Sequence, residues 1–428
     1  MRKNKNWIAQ LKTITTLFRI ASPKGLSKII MPFKRIVQKR SKKLSPFQLP
    51  TLPTIPRLPK IPKTPGFSNF DISKPVRNLP ELNRIKVAST WPYSEAMPTD
   101  LPAGGEFLTK SYVKESHAQT QVQTQIHPQL VPHIHFHTKS RPSHTYKIYI
   151  PSNSNDQSLP LLIMLHGCTQ NPDDFATGTA MNLLAEEQQF IVAYPAQTQS
   201  ANAQKCWNWF RTEDQSRGKG EPSIIAGITQ DIIRDYPVDT TRVYIAGLSA
   251  GGAMAVTVAT LYPDIYAAVG VHSGLPYASA NNVPSALSAM RNGSSQANCQ
   301  QLDEAALTAI PMIVFHGDQD HTVNASNGEH LIQQNIAAQN IEIDSASPQN
   351  ISVRTGKTDG GHTYSTTSYY DSDGHSVAEH WIIHGAGHAW SGGNPAGSYT
   401  DAKGPDASRE MLRFFLSHQS LRRSERKN

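Results

Sequence analysis

From Arg141 onward the chain repeats one arrangement, a short run of consecutive apolar residues followed by a longer amphipathic stretch, and few folds accommodate it. Runs such as Leu161–Leu165, Phe190–Tyr194, Val243–Ala246, Ala267–Val271 and Met312–Phe315 lack polar alternation, so each strand must be buried on both faces. Tyr146–Ile150 and His380–Ile383 complete the candidate strands. Helical periodicity intervenes at Asp174–Gln188, Ser223–Tyr236 and Ala250–Leu261. Doubly buried strands joined by helices predict an α/β class, with a mainly parallel sheet carrying helices on both faces.

Charge divides the chain. The first 66 residues hold 16 of the 41 Lys and Arg and none of the 33 Asp and Glu, so a basic arm precedes a mildly acidic body. Trp7, Leu11, Ile14 and Phe18 share one helical face in this arm, the pattern of an amphipathic helix that could lie on an anionic surface; a disordered basic leader is the plainer reading. Pro recurs every third residue from Pro50 to Pro65, matching the three-residue turn of polyproline II, which predicts a stiff spacer. The expected partition is therefore a basic arm over 1–44, a polyproline II spacer over 45–66, a polar linker over 67–139, the body over 140–418 and a basic tail over 419–428.

No run approaches the ~18 apolar residues of a membrane span, and Arg19 interrupts the apolar stretch nearest the N-terminus, so no clear signal peptide is expected. The arm is basic, but no recognised nucleic-acid module follows it. His133, His135 and His137 would share one face of a strand, yet no further ligand accompanies them and no metal is expected. Three cysteines, Cys168, Cys206 and Cys299, are too few for a disulfide framework, leaving one pair plus a free thiol or three thiols.

The strand Val243–Ala246 runs directly into Gly247-Leu248-Ser249-Ala250-Gly251-Gly252 and then a helix of small residues. Gly-x-Ser-x-Gly in this context is a nucleophile elbow, a turn so tight that the serine is left at the strand's C-terminal end. A serine hydroxyl needs a histidine to take its proton and a carboxylate to orient that histidine. Asp318 and Asp320 both follow the strand Met312–Phe315, with Asp320 favoured; His384 and His388 both follow His380–Ile383, with His388 favoured because flanking small residues let it reach across. The order Ser249, Asp320, His388 is the Ser…Asp…His order of hydrolases. Oxyanion donors are expected at Ala250 N–H, at its helix start, and at Cys168 N–H in the loop after Leu161–Leu165.

With His166-Gly167-Cys168-Thr169-Gln170, Cys206-Trp207-Asn208-Trp209-Phe210, the elbow, and Gly385-Ala386-Gly387-His388-Ala389-Trp390-Ser391-Gly392-Gly393, the body resembles the polyhydroxybutyrate depolymerase family, related to feruloyl and acetylxylan esterases, over about Ser140–His418. The resemblance implies an α/β-hydrolase fold, a Ser249–Asp320–His388 triad, no cofactor, an extracellular setting and a Cys168–Cys206 disulfide. It also implies a carboxylic ester substrate, a 3-hydroxyalkanoate oligomer or polymer in the leading reading. A feruloyl or acetylxylan carbohydrate esterase is the alternative, and a catalytically idle surface-binding protein the alternative of another class. Trp207 and Trp390 are expected to wall the cleft against substrate, and residues 1–66 to attach the enzyme to an anionic membrane or a polymer granule.

Overall fold

A computed structural model describes residues 104–114, 143–153, 157–294, 310–339 and 350–420. The chain divides after Trp91, and every described residue lies in the second unit, Pro92–Asn428. The arm, the spacer, His133, His135, His137 and Cys299, for which expectations were set out above, lie outside the described residues.

In chain order the elements are β1 (Glu106–Val113), β2 (Ser143–Ile150), β3 (Leu159–Leu165), α1 (Pro172–Thr179), α2 (Met181–Gln188), β4 (Ile191–Pro195), α3 (Gly220–Asp235), β5 (Val238–Leu248), α4 (Ala250–Leu261), β6 (Ala268–His272) and α5 (Val283–Asn292). Then follow β7 (Met312–Gly317), α6 (Ser326–Ala338), β8 (Ile351–Lys357), β9 (Thr363–Tyr370), β10 (Ser376–Ile383), β11 (Trp390–Ser391), β12 (Thr400–Asp401) and α7 (Ala407–Leu416). Ten strands form one sheet in the order β1-β2-β4-β3-β5-β6-β7-β10-β9-β8. The run from β4 to β10 is parallel, and antiparallel strands extend it at both ends. The expected α/β class, a mainly parallel sheet with helices on both faces, is what the described residues form.

Alternation along β3 explains the two layers. Leu161, Ile163 and Leu165 join the core beneath α3, α4 and α6, while Leu162 and Met164 join a second core beneath α1, α2 and α7. Such a strand has no polar face to show, hence the uninterrupted apolar run. Among the described residues no helix is long and apolar enough to cross a membrane.

Two expectations need correction. Residues 106–113 lie within the stretch expected to be polar linker, yet they form β1 and pair in register with all of β2, from Glu106 opposite Ile150 to Val113 opposite Ser143. Its polar residues are tolerated because an edge strand shows one side to solvent. The expected helix Asp174–Gln188 is two helices, because Ala180 adopts a left-handed conformation (φ 50°) that ends α1 and starts α2.

The fold also fixes where chemistry can occur. After β3 the chain moves to β4 on one side, then crosses back to β5 on the other. Sheets of this kind bind ligands outside the carboxyl ends of their strands at such a reversal. The loops leaving β3 and β5 meet there.

Candidate active site

Ser249 sits between β5 and α4 with φ 58° and ψ −120°, a conformation costly for any residue with a side chain. The surroundings enforce it. Ser249 N–H donates to His272 O of β6 at 2.8 Å, and Ala253 N–H donates to Ser249 O at 3.0 Å to open the helix. The glycine two residues on is required by contact: a Cβ on Gly251 would lie 2.1 Å from Leu165 O, so the elbow presses directly on the end of β3.

Of the two acids and two histidines after β7 and β10, the structure pairs them separately. His388 Nδ1–H donates to Asp320 Oδ2 at 2.6 Å, with both side chains largely buried. His384 Nδ1 instead meets Asp318 Oδ2 at 3.0 Å on a more exposed rim, where Asp318 Oδ1 also accepts Gly385 N–H. The second pair staples the start of the histidine loop to the end of β7.

Asp320 is held ionised by its neighbours. Burial alone would raise its pKa, but hydrogen bonds from His316, His388 and Val323 N–H outweigh it and hold the carboxyl far below the usual range. Its Oδ1 accepts the N–H groups of Thr322 and Val323, both at 2.8 Å. The carboxylate is thereby fixed with Oδ2 facing His388. Because Asp320 occupies Nδ1, the Nε2 edge of His388 is left for a proton exchanged elsewhere.

His272, from β6, lies between these parts. Ser391 N–H donates to its Nε2 at 3.0 Å, and its ring stacks between Phe315 and Trp390. Complete burial, with His316 and His388 as the next causes, lowers its pKa to about 3, so it is a neutral strut at working pH.

The loop after β3 is held from below. His166 Nε2 accepts Gln197 N–H at 3.1 Å and His166 O accepts Trp207 Nε1–H at 3.1 Å; burial lowers the His166 pKa to about 4. Glu221 joins the two sides of this assembly, accepting Gln197 Nε2–H at 2.6 Å, Asn208 N–H at 2.7 Å and the Asn208 side-chain amide. Gln197 Nε2 also donates to Cys206 O at 3.1 Å. The Cys168–Cys206 disulfide closes it from above across a sequence separation of 38. Gly167 N–H donates to Gln170 Oε1 and Thr169 N–H to Gln204 O, while Cys168 N–H has no partner among the described residues. Ala250 N–H is likewise outside the helix ladder, which starts at Ala253.

Trp207 and Trp390 do not wall a cleft. They are 3% and 1% exposed, with Trp207 bonded to the β3 loop and Trp390 Nε1–H donating to Ser408 Oγ at 3.0 Å. Each ring lies in one of the two cores and contributes its large apolar area there. Sequence reasoning also passed over Glu221 and His272, because a buried acid or histidine has no local signature.

As for metals, Asp371, Asp373 and His375, in the exposed turn between β9 and β10, are the one group among the described residues whose ligand atoms lie within 4.8 Å of one another. Asp371 Oδ1 already accepts the N–H groups of Asp373 and His375.

A buried acid–histidine pair, a serine on a strained elbow and two N–H groups without partners among the described residues thus lie at one edge of the sheet. Residues 144–358 match the family described as esterase PHB depolymerase, and the chain belongs to that family. The poly(3-hydroxyalkanoate) depolymerase C of Paucimonas lemoignei is 30% identical over 247 residues, 56% of this chain and 57% of that protein. A probable acetylxylan esterase A of Aspergillus fumigatus is 31% identical over 205 residues, 44% of this chain and 53% of that protein. The chain thus spans about half the length of the curated relatives it matches. Among solved structures, an acetyl xylan esterase from Aspergillus awamori aligns at 20% identity with a TM-score of 0.47, covering 64% of this chain and 94% of its own.

Proposed function

We propose that the chain is a serine hydrolase of carboxylic esters with an α/β-hydrolase fold, acting on 3-hydroxyalkanoate oligomers or polymer. The observation that carries the reading is the 2.6 Å His388–Asp320 bond, formed at the ends of neighbouring strands on the same sheet edge as the Ser249 elbow. Ser249 Oγ attacks the ester carbonyl while His388 Nε2 takes its proton, and Asp320 stabilises the imidazolium that forms. Cys168 N–H and Ala250 N–H receive the developing oxyanion; one such donor is typically worth about 10²–10³ in rate. His388 then returns its proton to the leaving alcohol, and water releases the acyl group by the reverse sequence.

Membership in the depolymerase family and the Paucimonas lemoignei relative favour a hydroxyalkanoate substrate. The comparable identity of the acetylxylan esterase relative supports the second reading, a carbohydrate esterase. A panel of hydroxybutyrate oligomers, methyl ferulate and acetylated xylan separates them. Ser249→Ala and His388→Ala should each lower kcat by about 10⁴–10⁶ with the fold retained. Near wild-type hydrolysis of p-nitrophenyl butyrate by Ser249→Ala would overturn the mechanism.

The arm belongs to the same reading as a surface tether, with 16 cations and no acids over residues 1–66. A chain beginning near Phe67 should retain kcat on a soluble ester but lose salt-sensitive adsorption to anionic vesicles or polymer granules. Equal adsorption by both chains rejects the tether.

A further inference from the structure

Tyr399 is unusual in three respects at once. It is one of four large apolar residues exposed among the described residues, at 48%. Its backbone is left-handed at φ 53°, which strains a residue carrying a ring. Both ends of it are fastened to the active-site loops: its carbonyl accepts Trp390 N–H at 2.7 Å, two residues beyond His388, and its hydroxyl lies 3.2 Å from Thr169 Oγ1, one residue beyond Cys168.

The fastening is redundant. Preceding Tyr399, Ser398 donates its N–H to Asp174 Oδ1 at 2.8 Å and accepts Gln170 Nε2–H on its carbonyl at 3.0 Å. Following it, Thr400 pairs with Trp390 in the short β11–β12 ladder. Thr169, the partner of the Tyr399 hydroxyl, is itself left-handed at φ 69°. Strain of this kind persists only where the surrounding structure over-determines it, and it clusters at active sites and ligand clamps. An apolar ring left half in water by so many constraints lacks only a partner for its face.

We propose that the Tyr399 ring is the contact surface for the second repeating unit of a 3-hydroxyalkanoate oligomer, and so sets a preference for chain length. This rests on the ester-hydrolase reading above. The aliphatic backbone and methyl branch of a hydroxybutyrate unit offer C–H groups to the ring face, while the unit undergoing cleavage is gripped by the oxyanion donors. The ring touches substrate and takes no proton.

The full chain, with Tyr399→Ala and Tyr399→Phe, is assayed on methyl 3-hydroxybutyrate, on the linear dimer and trimer of 3-hydroxybutyrate, and on methyl ferulate. Tyr399→Ala should lower kcat/KM on the trimer about tenfold more than on the monomer ester, through KM, which is what covering roughly 50 Å² of ring is worth at about 25 cal/mol per Å². Tyr399→Phe should keep the wild-type ratio. An equal loss on all substrates, a loss in Tyr399→Phe as large as in Tyr399→Ala, or a loss falling on ferulate instead of the trimer would each overturn the assignment. If the wild type cleaves none of these esters, the hydrolase reading fails by itself. Trimer binding to Ser249→Ala with and without Tyr399→Ala then still reads the ring, and equal affinity of the two would overturn it.

Discussion

Replacing both Cys168 and Cys206 by alanine tests how far the loop after β3 depends on its covalent tie. The bridge closes a loop of sequence separation 38. In the chain-entropy treatment such a loop restrains the unfolded chain by about 4 kcal/mol. At roughly 2 °C per kcal/mol for a body of this size, Tm should fall by about 8 °C. Activity should fall much less. The Thr169–Gln204, Gln197–His166 and Trp207–His166 hydrogen bonds remain, so Cys168 N–H keeps most of its aim and kcat should drop less than the ~10²-fold of a lost oxyanion donor. Thermal unfolding with and without reductant, followed by ester hydrolysis at 25 °C, reads both quantities. A change in Tm below about 2 °C, or a kcat loss beyond 10²-fold with stability intact, would refute the division of labour argued here.

Asp320→Asn should cost about 10⁴ in kcat through the wrong His388 tautomer, whereas Asp318→Asn, which loosens only the His384 staple, should stay within about tenfold of wild type; steady-state kinetics with a p-nitrophenyl ester distinguishes them. Acid should destabilise the fold from pH 6.5 downward, because burial depresses the pKa of His166 to about 4, His272 to about 3 and His380 to about 4, so the unfolded chain binds protons that the folded chain refuses. Each histidine should account for about 2 kcal/mol by pH 5, measured by urea unfolding. Glu221 works oppositely: burial, with Asp214 next, raises it to about 7, so its contribution is present below the unfolded value near 4.5 and is lost as pH rises toward 7. Glu221→Gln should therefore steepen the acid-side decline, and an unchanged slope would show that this carboxyl titrates normally.

The central sheet and the helix Ala250–Leu261 were legible because strands buried on both faces and a small-residue helix packed against them leave continuous apolar patterns. The edges were not. β9 reads Thr-Tyr-Ser-Thr-Thr-Ser-Tyr-Tyr and β8 is mostly exposed, so neither carries the apolar run that marked the interior strands. That two acids and two histidines follow neighbouring strand ends was legible as a local fact, and the structure pairs Asp320 with His388 and Asp318 with His384. The burial of Trp207 and Trp390 was hidden, because a tryptophan beside a motif reads the same whether it faces ligand or core.

The stretch after β11 has a consequence for timing. Asn394 N–H donates to Gly178 O at 2.8 Å, and Gly397 approaches α1 so closely that a Cβ there would lie 2.3 Å from Gly178 Cα. Because α1 ends at Ala180, its last turn is free to receive this packing. The loop carrying Tyr399 is thus anchored to a core helix as well as to the rim, and it should open only on the slow scale of sub-global unfolding. The amides of Asn394 and Ser398 should exchange with solvent nearly as slowly as those of the central strands, and a substrate should meet this part of the surface already in its final shape.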